Sequence, residues 1–341
     1  MRFSISKTFR VTALLSLIAC TSHQKAFNNK NTIFKNYSFY KPGELWYDDD
    51  ENVINAHGGG IIYKDGKYYW FGEKRGRRAS EGVNVYSSTD LYNWKFENLA
   101  LAPNDADSVS DIAKGCIMER PKVLFNAKTG KYVMWFHLEL KGKGYNAARA
   151  AVAVSDKITG PYQFIKSFRP NGNMSRDMTL YLDEDGSAYH IYSSRDNYDL
   201  RIAKLSDDFL SVTTEDRLLF SEHREAPAIF KYANKYFLIT SGCTGWAPNK
   251  ASLHIATSIW GPWTRSNDNP LRGPNADSTY GGQSTYILPV TRKKDAFIFL
   301  ADRWNPKDLK DSRFLWLPIQ LENNQPFIQW LDEWNLDFFK K

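Results

Sequence analysis

The stretch that decides the fold reads His223-Arg224-Glu225-Ala226-Pro227-Ala228-Ile229-Phe230-Lys231-Tyr232-Ala233-Asn234-Lys235-Tyr236-Phe237-Leu238-Ile239-Thr240. It places a carboxylate, Glu225, ahead of an apolar run, a polar turn near Asn234 and a second apolar run. Two apolar runs joined by a short polar turn are typical of a β-hairpin. The stretch therefore predicts a hairpin whose first strand opens on an acidic side chain, as an active-site residue at a hairpin rim would.

The same arrangement recurs along the chain, each time with a polar residue ahead of an apolar hairpin. The opening residues of these units are His57, Glu119, Asp177, Glu225 and Gln283. Their first strands lie about 50 to 60 residues apart, a period that indicates a repeat architecture. A third strand follows each hairpin, and the trace of a fourth usually follows that strand.

Repeated four-stranded units of this kind predict an all-β fold, a five-bladed β-propeller. Radial repetition is one of the few ways in which an antiparallel chain protects its sheet edges. In such a ring the first strand of every blade lines the central channel. We therefore expect the opening residues of all the blades to converge on one mouth, although they lie far apart in the sequence.

The first 20 residues have the pattern of a lipoprotein-type signal peptide. Three basic residues precede a short apolar run, and Leu17-Ile18-Ala19-Cys20 resembles a bacterial lipobox. A run this short suits a cleaved signal better than a membrane span. We therefore predict lipidation at Cys20 and a place in the bacterial cell envelope, periplasmic or anchored in the outer membrane. The alternative is an ordinary cleavage site that lies beside Cys20 by chance.

The rest of the chain divides into a tether and a domain. Residues 21–43 are polar with little periodicity, which is typical of a tether, and residues 44–341 form the predicted propeller. The chain has 45 Lys and Arg against 38 Asp and Glu, but residues 1–43 hold seven of the basic residues and none of the acidic ones. The predicted domain is therefore neutral, which gives no support to a nucleic-acid surface.

The residue types at the predicted mouth point to acetal hydrolysis. Three carboxylates, an amide and an imidazole would meet there in a chain that is 15% aromatic. One carboxylic acid can protonate a leaving glycosidic oxygen while a second group organises water or attacks the anomeric carbon, and groups that face each other across a channel favour inversion. In the alternative interpretation, these acids pair with arginines, since Arg120, Arg176 and Arg224 each adjoin one of them.

Other chemistries lack their motifs. The sequence contains no zinc-type cluster of Cys and His, no glycine-rich phosphate loop and no Gly-x-Ser-x-Gly. Beyond Cys20 only Cys116 and Cys243 remain, so the chain is not a disulfide scaffold, and these two either pair or are small buried side chains. We predict no cofactor and no metal site, and we leave a structural calcium ion open.

Motifs in every predicted blade resemble those of glycoside hydrolase family 43. They are His57-Gly58-Gly59-Gly60 with Tyr69-Trp70-Phe71-Gly72-Glu73, Glu119-Arg120-Pro121-Lys122-Val123, Ser175-Arg176-Asp177-Met178-Thr179, Glu225-Ala226-Pro227-Ala228, Ser241-Gly242-Cys243-Thr244-Gly245-Trp246-Ala247-Pro248-Asn249 and Gly281-Gly282-Gln283-Ser284. The set is most similar to the exo-β-1,3-galactanase branch and covers nearly all of residues 50–305. The resemblance implies a five-bladed propeller of inverting enzymes, in agreement with the fold predicted from the repeat.

The resemblance also implies roles for single residues. Glu225 matches the general acid, and Asp177 matches the carboxylate that tunes that acid and holds the sugar. Glu119 matches a residue that grips the terminal sugar, and Gln283 matches a glutamine in the position of the base. Further sugar contacts of the branch fall on Glu73, Tyr145, Thr244 and Gly245.

The identity of the base stays open at this stage. Most of the family has an aspartate as base in the first blade, where this chain reads His57-Gly58-Gly59-Gly60. A neutral amide is a poor proton acceptor, so Gln283 would have to orient the water, pass its proton on or act as an imidic acid, and Glu119 is the competing base. We interpret His57 as a structural residue or a hydroxyl contact. Trp246, Tyr280 and Trp304 are each either sugar platforms or core.

These features together predict an inverting, exo-acting hydrolase that releases galactose from β-1,3-galactan, such as the backbone of arabinogalactan. Such an enzyme would degrade an oligo- or polysaccharide as a monomer, without nucleic acid, and would touch a membrane only through its lipid anchor. Two alternatives remain open. One is another family 43 specificity, α-L-arabinofuranosidase or β-xylosidase, and the other is a non-catalytic carbohydrate-binding propeller.

Overall fold

The computed structural model describes residues 36–76 and 80–340. The predicted signal peptide, its Cys20 and most of the predicted tether lie outside the described residues. Within them, no helix has the length and apolar character needed to cross a membrane.

The described chain is built almost entirely of antiparallel sheets, one for each predicted blade. Blade 1 contains β1 (His57–Lys64), β2 (Lys67–Arg75), β3 (Ser80–Ser88) and β4 (Lys95–Leu101). Blade 2 contains β5 (Ile117–Asn126), β6 (Lys131–Glu139), β7 (Arg149–Ser155) and β8 (Gln163–Phe168). Blade 3 contains β9 (Met178–Leu182), β10 (Ala188–Ser194), β11 (Asp199–Leu205) and β12 (Val212–Phe220).

The last two blades follow the same order with one addition. Blade 4 contains β13 (Arg224–Tyr232), β14 (Lys235–Gly242), β15 (Ser252–Ala256) and β16 (Thr264–Arg265). Blade 5 contains β17 (Leu271–Arg272), β18 (Gln283–Pro289), β19 (Phe297–Arg303), β20 (Arg313–Glu322) and β21 (Gln325–Gln329). The short β17 adds to the outer edge of blade 5 by pairing in parallel with β21. Single 3₁₀ turns occur at Pro170–Gly172, Ala276–Gly281, Leu309–Asp311 and Leu336–Phe339.

The first strands of the blades close into a ring. They contact one another in the order β1, β5, β9, β13 and β18, and β18 returns to β1. This order confirms the predicted five-bladed β-propeller. It places the starts of the innermost strands around one end of a common channel.

The first and last segments of the propeller chain pair and pack against each other. Tyr40, ahead of β1, and Trp334, after β21, exchange two backbone hydrogen bonds of 2.7 and 3.1 Å. Their rings lie 4.5 Å apart between centroids, in a cluster with the buried Trp70, Trp94 and Trp316 of blades 1 and 5. These rings therefore form an aromatic core at the seam between blades 1 and 5.

Four of the five innermost strands, all except β9, share a local irregularity near the mouth. Their pairing with the second strand shifts register between His57 and Gly60, between Glu119 and Lys122, between Glu225 and Ala228, and between Ser284 and Tyr286. Such shifts are β-bulges, which bend a strand and redirect its side chains. The bulges therefore lie beside the residues that the sequence places at the mouth.

Candidate active site

A cavity of about 350 Å³ opens at the end of the channel, and side chains from every blade line it. We call it the mouth cavity. The predicted site residues along its wall are Glu119, Asp177, Glu225, Gln283, Glu73, Tyr145, Gly245 and Trp246. A cavity of this size with a few convergent polar groups suits a small ligand or one end of a longer one.

The β-bulges aim the site residues into this cavity. In three blades the residue after the opening residue has a positive φ, 59° at Gly58, 56° at Arg120 and 54° at Ala226. Left-handed backbone is unfavourable for arginine and alanine, so the surrounding sheets hold this conformation at a cost. The conformation turns Glu119 and Glu225 away from the regular alternation of their strands and toward the cavity.

Glu225 is a half-buried carboxyl whose two oxygens each accept an amide hydrogen bond. Gln283 Nε2 donates to Oε1 at 2.9 Å, and Asn197 Nδ2 donates to Oε2 at 2.9 Å. Burial, reinforced by the nearby Asp177, raises the pKa of Glu225 to about 8. A carboxyl with this pKa is protonated near neutral pH and can give its proton to a leaving oxygen.

Arg120 links the opening residues of blades 3 and 5, Asp177 and Gln283. Its Nη2 donates to Asp177 Oδ2 at 2.8 Å and to Gln283 Oε1 at 2.6 Å. Gln283 Oε1 also accepts from Trp304 Nε1 at 2.9 Å, while its Nε2 donates to Glu225 and to Ser241 Oγ. The amide is therefore fully hydrogen-bonded, and its oxygen faces two donors.

Glu119 is a buried carboxylate surrounded by donors and positive charge. Its Oε1 accepts from Arg75 Nη2 and from the Tyr145 hydroxyl, both at 2.8 Å, and its Oε2 lies 3.2 Å from His137 Nδ1. Burial opposes ionisation, but His137 and Arg75 outweigh it and hold the pKa of Glu119 well below its usual range. Glu119 is thus an ionised hydrogen-bond acceptor and a weak base.

His137 is itself held between two carboxylates. Its Nε2 lies 2.9 Å from Glu139 Oε1, and Glu139 Oε2 accepts the Ala148 N–H at 3.0 Å. Burial disfavours the charged ring, yet Glu119 and Glu139 raise the pKa of His137 to about 9. The imidazolium therefore links the buried Glu139 to Glu119 in the cavity wall.

Glu73 lies behind Arg75 at the first-blade side of the cavity. Its Oε2 is 2.7 Å from Arg75 Nε, and its Oε1 accepts from the Ser80 hydroxyl. Burial, only partly offset by Arg75, raises the pKa of Glu73 to about 8. This carboxyl can therefore donate a hydrogen bond as well as accept one.

Comparison with known proteins establishes the family of the chain. The sequence profile described as glycosyl hydrolases family 43 matches residues 56–313. The chain belongs to glycoside hydrolase family 43. No protein with curated annotation matches the chain.

Solved structures of family 43 proteins align over most of the chain. A family 43 β-1,3-galactosidase solved with galactodeoxynojirimycin shares 52% identity at a TM-score of 0.85, over 87% of this chain and 100% of the other. The Phanerochaete chrysosporium exo-β-1,3-galactanase with β-1,3-galactotriose shares 34% identity at a TM-score of 0.82, over 88% of this chain and 68% of the other. The Clostridium thermocellum exo-β-1,3-galactanase shares 35% identity at a TM-score of 0.79, over 86% and 66%.

Not every residue predicted to contact the sugar lies in the wall of this family 43 site. His57 is fully buried behind it, with Nδ1 3.2 Å from Asp302 Oδ1 and its ring stacked on Phe314 at 4.9 Å. This position fits the structural interpretation of His57 and not a hydroxyl contact with the sugar. The hydroxyl of Thr244 donates to Ala247 O at 2.6 Å within the loop that presents Gly245 to the cavity.

The aromatic candidates divide between the cavity and the core. Trp246 and Trp304 line the cavity, 5.4 Å apart between ring centroids and nearly perpendicular. Tyr280 lies in the core between blades 4 and 5, where its hydroxyl donates to the Arg272 and Ile328 carbonyls. Tyr280 cannot act as a sugar platform because it is 4% exposed.

None of the three arginines pairs with the acid that adjoins it in the sequence. Arg120 pairs with Asp177 rather than with the adjacent Glu119. Arg176 pairs with Asp196, and Arg224 donates to backbone carbonyls of Thr240 and Lys250. The two cysteines among the described residues are unpaired, with Cys116 buried in the core and Cys243 in the cavity wall. Burial and the nearby Glu225 raise the pKa of the Cys243 thiol.

The described residues bring one group of possible metal ligands together, Glu119, His137 and Asp177, whose donor atoms lie within 4.8 Å of one another. Arg75 and Arg120 already neutralise the two carboxylates. An imidazolium that faces a carboxylate at each nitrogen has no lone pair to offer a cation. The cluster therefore fits an ion-pair network better than a metal centre.

Sequence reasoning missed the partners Arg75, His137 and Asn197. Counting back from the turn of the blade 2 hairpin would pair Glu119 with Leu138, and the bulge between Glu119 and Lys122 shifts the partner to His137, so the sequence indicates this contact only to within one residue. Arg75 and Asn197 reach their partners from loop-proximal positions in a different blade. No local pattern in the sequence predicts those contacts.

Proposed function

We propose that this family 43 protein is an inverting, exo-acting glycoside hydrolase that releases galactose from the non-reducing end of β-1,3-galactan. The substrate is an oligo- or polysaccharide such as the backbone of arabinogalactan. Similar family 43 structures described as β-1,3-galactosidase and exo-β-1,3-galactanase support this specificity.

One observation carries the chemical part of the proposal. Glu225, a carboxyl with a pKa raised to about 8, lies in the same small cavity as the ionised Glu119 and the amide of Gln283. An acid that is protonated at neutral pH beside groups that grip a sugar is the arrangement that acetal cleavage requires.

In the proposed reaction Glu225 gives its proton to the glycosidic oxygen as the bond from that oxygen to C1 breaks. A water molecule adds to C1 from the opposite face, which inverts the configuration, and its surplus proton passes to solvent while Glu225 is reprotonated. Asp177 keeps Glu225 protonated by its charge, and Arg120 keeps Asp177 and Gln283 in place. Glu119 and Tyr145 bind hydroxyls of the terminal galactose.

Gln283 is the proposed water-positioning group. Its pairing with Glu225 places the amide beside the acid, and its oxygen becomes available to water when substrate displaces Trp304 or Arg120 from it. Glu119 is the weaker candidate for the base, because His137 and Arg75 hold its pKa well below the usual range. A strongly stabilised carboxylate accepts hydrogen bonds well and protons poorly.

The experiment that tests the function compares Glu225→Gln with the wild type. Wild-type protein should release galactose from galactobiose and should not cleave nitrophenyl arabinofuranoside or xyloside at a comparable rate. Glu225→Gln should lose at least about a thousandfold in kcat on galactobiose, the range of general acid catalysis, while galactose still binds. Near-normal turnover by the variant would overturn the proposal.

The proposal includes turnover without a cofactor. Ion pairs with Arg75 and Arg120 satisfy Glu119 and Asp177, and the reaction needs only water. Treatment with EDTA followed by dialysis should therefore leave galactose release unchanged, in a protein that elutes as a monomer on gel filtration. Loss of activity that returns with added calcium would contradict this part.

The proposal also places the enzyme in the bacterial cell envelope. The basic leader, the short apolar run and Leu17-Ile18-Ala19-Cys20 support a lipid anchor on Cys20. Labelling cells with a palmitate analogue should mark the wild-type protein and leave Cys20→Ala unlabelled. Equal labelling of both would contradict an anchor at this cysteine.

A further inference from the structure

A buried lysine lies behind the wall of the mouth cavity and has no place in the proposed chemistry. Lys122 is only 2% exposed, and it is not among the residues that line the cavity. Lysine is seldom buried to this extent, because removing its amine from water is costly unless the amine gains partners. The partners of Lys122 therefore indicate what the residue does.

The amine of Lys122 connects the bulges of blades 1 and 2. Its Nζ donates to Gly58 O at 2.8 Å and to Arg120 O at 3.4 Å. Both acceptors belong to residues with left-handed backbone, φ 59° at Gly58 and 56° at Arg120. Burial and the neighbouring Arg120 lower the pKa of Lys122 well below its usual range, and the amine carries enough N–H groups for two carbonyls in either protonation state.

The first strand of blade 1 leaves room for this side chain. A Cβ at Gly60 of β1 would lie 2.5 Å from Lys122 Cδ and 3.2 Å from Lys122 Cε. The φ of Gly60 is not positive, so the space taken by Lys122, rather than the backbone, requires glycine at this position. Gly60 and Lys122 therefore form one packing unit across blades 1 and 2.

Arg120 extends the effect of this unit into the site. Its guanidinium donates to Asp177 Oδ2 at 2.8 Å and to Gln283 Oε1 at 2.6 Å. Another bond, from Nη1 to Ser284 O at 3.0 Å, crosses to blade 5. A shift of the Arg120 backbone would therefore move the amide that is proposed to position water, and a small displacement of a positioning group is costly in rate.

The groups that are proposed to bind the terminal galactose have other supports. Glu119 accepts from Arg75 and from the Tyr145 hydroxyl, both at 2.8 Å, and lies 3.2 Å from His137. Lys122 has no hydrogen bond to any of these side chains. Loss of the Lys122 amine should therefore affect the reaction step more than the binding of galactose.

We propose that Lys122 is a positioning residue of this site. It fixes the left-handed backbone of Arg120 and so keeps Asp177 and Gln283 in place. The inference rests on the proposed function, because it takes Glu225 as the acid and Gln283 as the water-positioning group.

The first test removes the amine and keeps the apolar stem. Lys122→Met should lower kcat on galactobiose about tenfold, the scale of one lost buried hydrogen bond, with KM nearly unchanged. Arg120 opposes the rise in the pKa of Glu225 that burial and Asp177 cause, so a displaced Arg120 should also move the alkaline fall of kcat to higher pH. Lys166→Met is the matched control, since it removes an amine that donates to Ser211 Oγ at 2.6 Å from the outer strand of blade 2, and it should change neither quantity.

A second test disturbs the same contact without removing the amine. Gly60→Ala should lower kcat by a similar factor, because the added methyl group displaces the stem of Lys122. In a Lys122→Ala background the methyl group has room, so Gly60→Ala should add no further loss. Such non-additivity is expected only for residues in direct contact, and fully additive losses would overturn the inference.

The outcomes separate the inference from the function on which it rests. A Lys122→Met protein with the kcat of the wild type would overturn the inference alone, and so would a loss that appears mainly in KM or that Lys166→Met shares. Failure of the wild type to release galactose from galactobiose would instead overturn the proposed function.

Discussion

Glu225 and Glu119 are the same side chain with opposite acid strength, and their surroundings explain the difference. Burial and Asp177 favour the neutral form of Glu225, while its two partners are uncharged amides. Glu119 is buried more deeply, but Arg75 and His137 supply positive charge within hydrogen-bonding range. Two carboxyls with separated pKa values in one cavity can take separate roles, one as acid and one as a permanent anion.

The first prediction concerns pH. Glu225 must be protonated to act, so kcat/KM should fall as pH rises through about 8, the raised pKa of that carboxyl. Asp177→Asn removes a nearby negative charge and frees Arg120, and both changes favour ionised Glu225. The alkaline fall should therefore move to lower pH in this variant. If the alkaline fall of Asp177→Asn lies at the same pH as that of the wild type, Asp177 does not raise the pKa of Glu225. Asp207→Asn, which changes an exposed carboxylate paired with Lys128, serves as the control.

The second prediction concerns His137. His137→Gln removes the buried positive charge on Glu119 Oε2, so Glu119 should bind galactose less well. Because a hydrogen bond to a charged group is worth about 1.5–3 kcal/mol, kcat/KM should fall roughly 10- to 100-fold, mainly through KM. His190→Gln, at a fully buried histidine of blade 3, should lower stability without raising KM. Equal changes in KM for both variants would contradict the role of His137.

The residues of the site differ in how far the sequence could predict them. Glu119, Asp177, Glu225 and Gln283 share one position in a repeat, which is a local pattern. Arg75 meets Glu119 across two blades, and this contact depends on the tertiary packing of the ring. His57 has the same repeat position as the acids yet is buried on Asp302, because repetition specifies where a residue lies and not where its side chain points.

At the scale of the strand, the β-bulges after Glu119 and Glu225 turn these side chains toward the mouth cavity. The backbone in the left-handed region after Glu119 and Glu225 costs energy that the paired strands supply. Blade 1 meets the same demand with glycine, at Gly58. Gly59 has a different constraint, since a Cβ at this position would lie 1.9 Å from the Phe71 carbonyl oxygen of β2.

The third prediction follows from this close approach. Gly59→Ala should destabilise the protein by about 3 kcal/mol or more, because the backbone of β2 cannot yield as a side chain would. The change should appear as a lower midpoint in urea unfolding. Gly130→Ala should cost only about 1 kcal/mol, because Gly130 lies in a turn with φ 69° where an added Cβ would meet no atom within 4 Å. Similar midpoints for the two variants would contradict the steric explanation.

The inner strands of each blade were predictable and the outer ones less so. Inner strands carry long apolar runs, and each begins within a few residues of its predicted start. The outer strand of blade 3 runs from Val212 to Phe220, and none of its side chains is buried. Strands without a buried face have weak patterning, and for the same reason the sequence does not predict the parallel pairing of β17.

At the scale of the whole molecule, ring closure keeps the cavity together. Residues contributed by every blade meet only if blade 5 stays against blade 1, and the chain segments around Tyr40 and Trp334 join there. Trp334 is 4% exposed, and its indole donates to the Trp316 carbonyl at 2.8 Å. Closure of the ring therefore depends on the buried Trp334 at the seam, whereas Trp246 lines the mouth cavity.

The fourth prediction separates these two dependences. Trp334→Ala should cost about 3–5 kcal/mol in unfolding free energy, because it empties a buried aromatic site at the seam. Trp246→Ala, at a 39% exposed residue of the mouth cavity, should change unfolding by less than about 1 kcal/mol and lower kcat/KM on galactobiose. Urea titrations and initial rates on both variants measure this. A Trp334→Ala protein with the unfolding free energy of the wild type would contradict the role of Trp334 in closing the ring.

Glu119, Asp177, Glu225 and Gln283, which open four of the five blades, are proposed to form one inverting site for the end of a galactan chain. The most direct test of this proposal is proton NMR of β-1,3-galactan during the first minutes of digestion, before mutarotation mixes the anomers. Free galactose should be the initial product, released as the α-anomer from a β-linked chain. Initial β-galactose, or oligosaccharides in place of galactose, would contradict it.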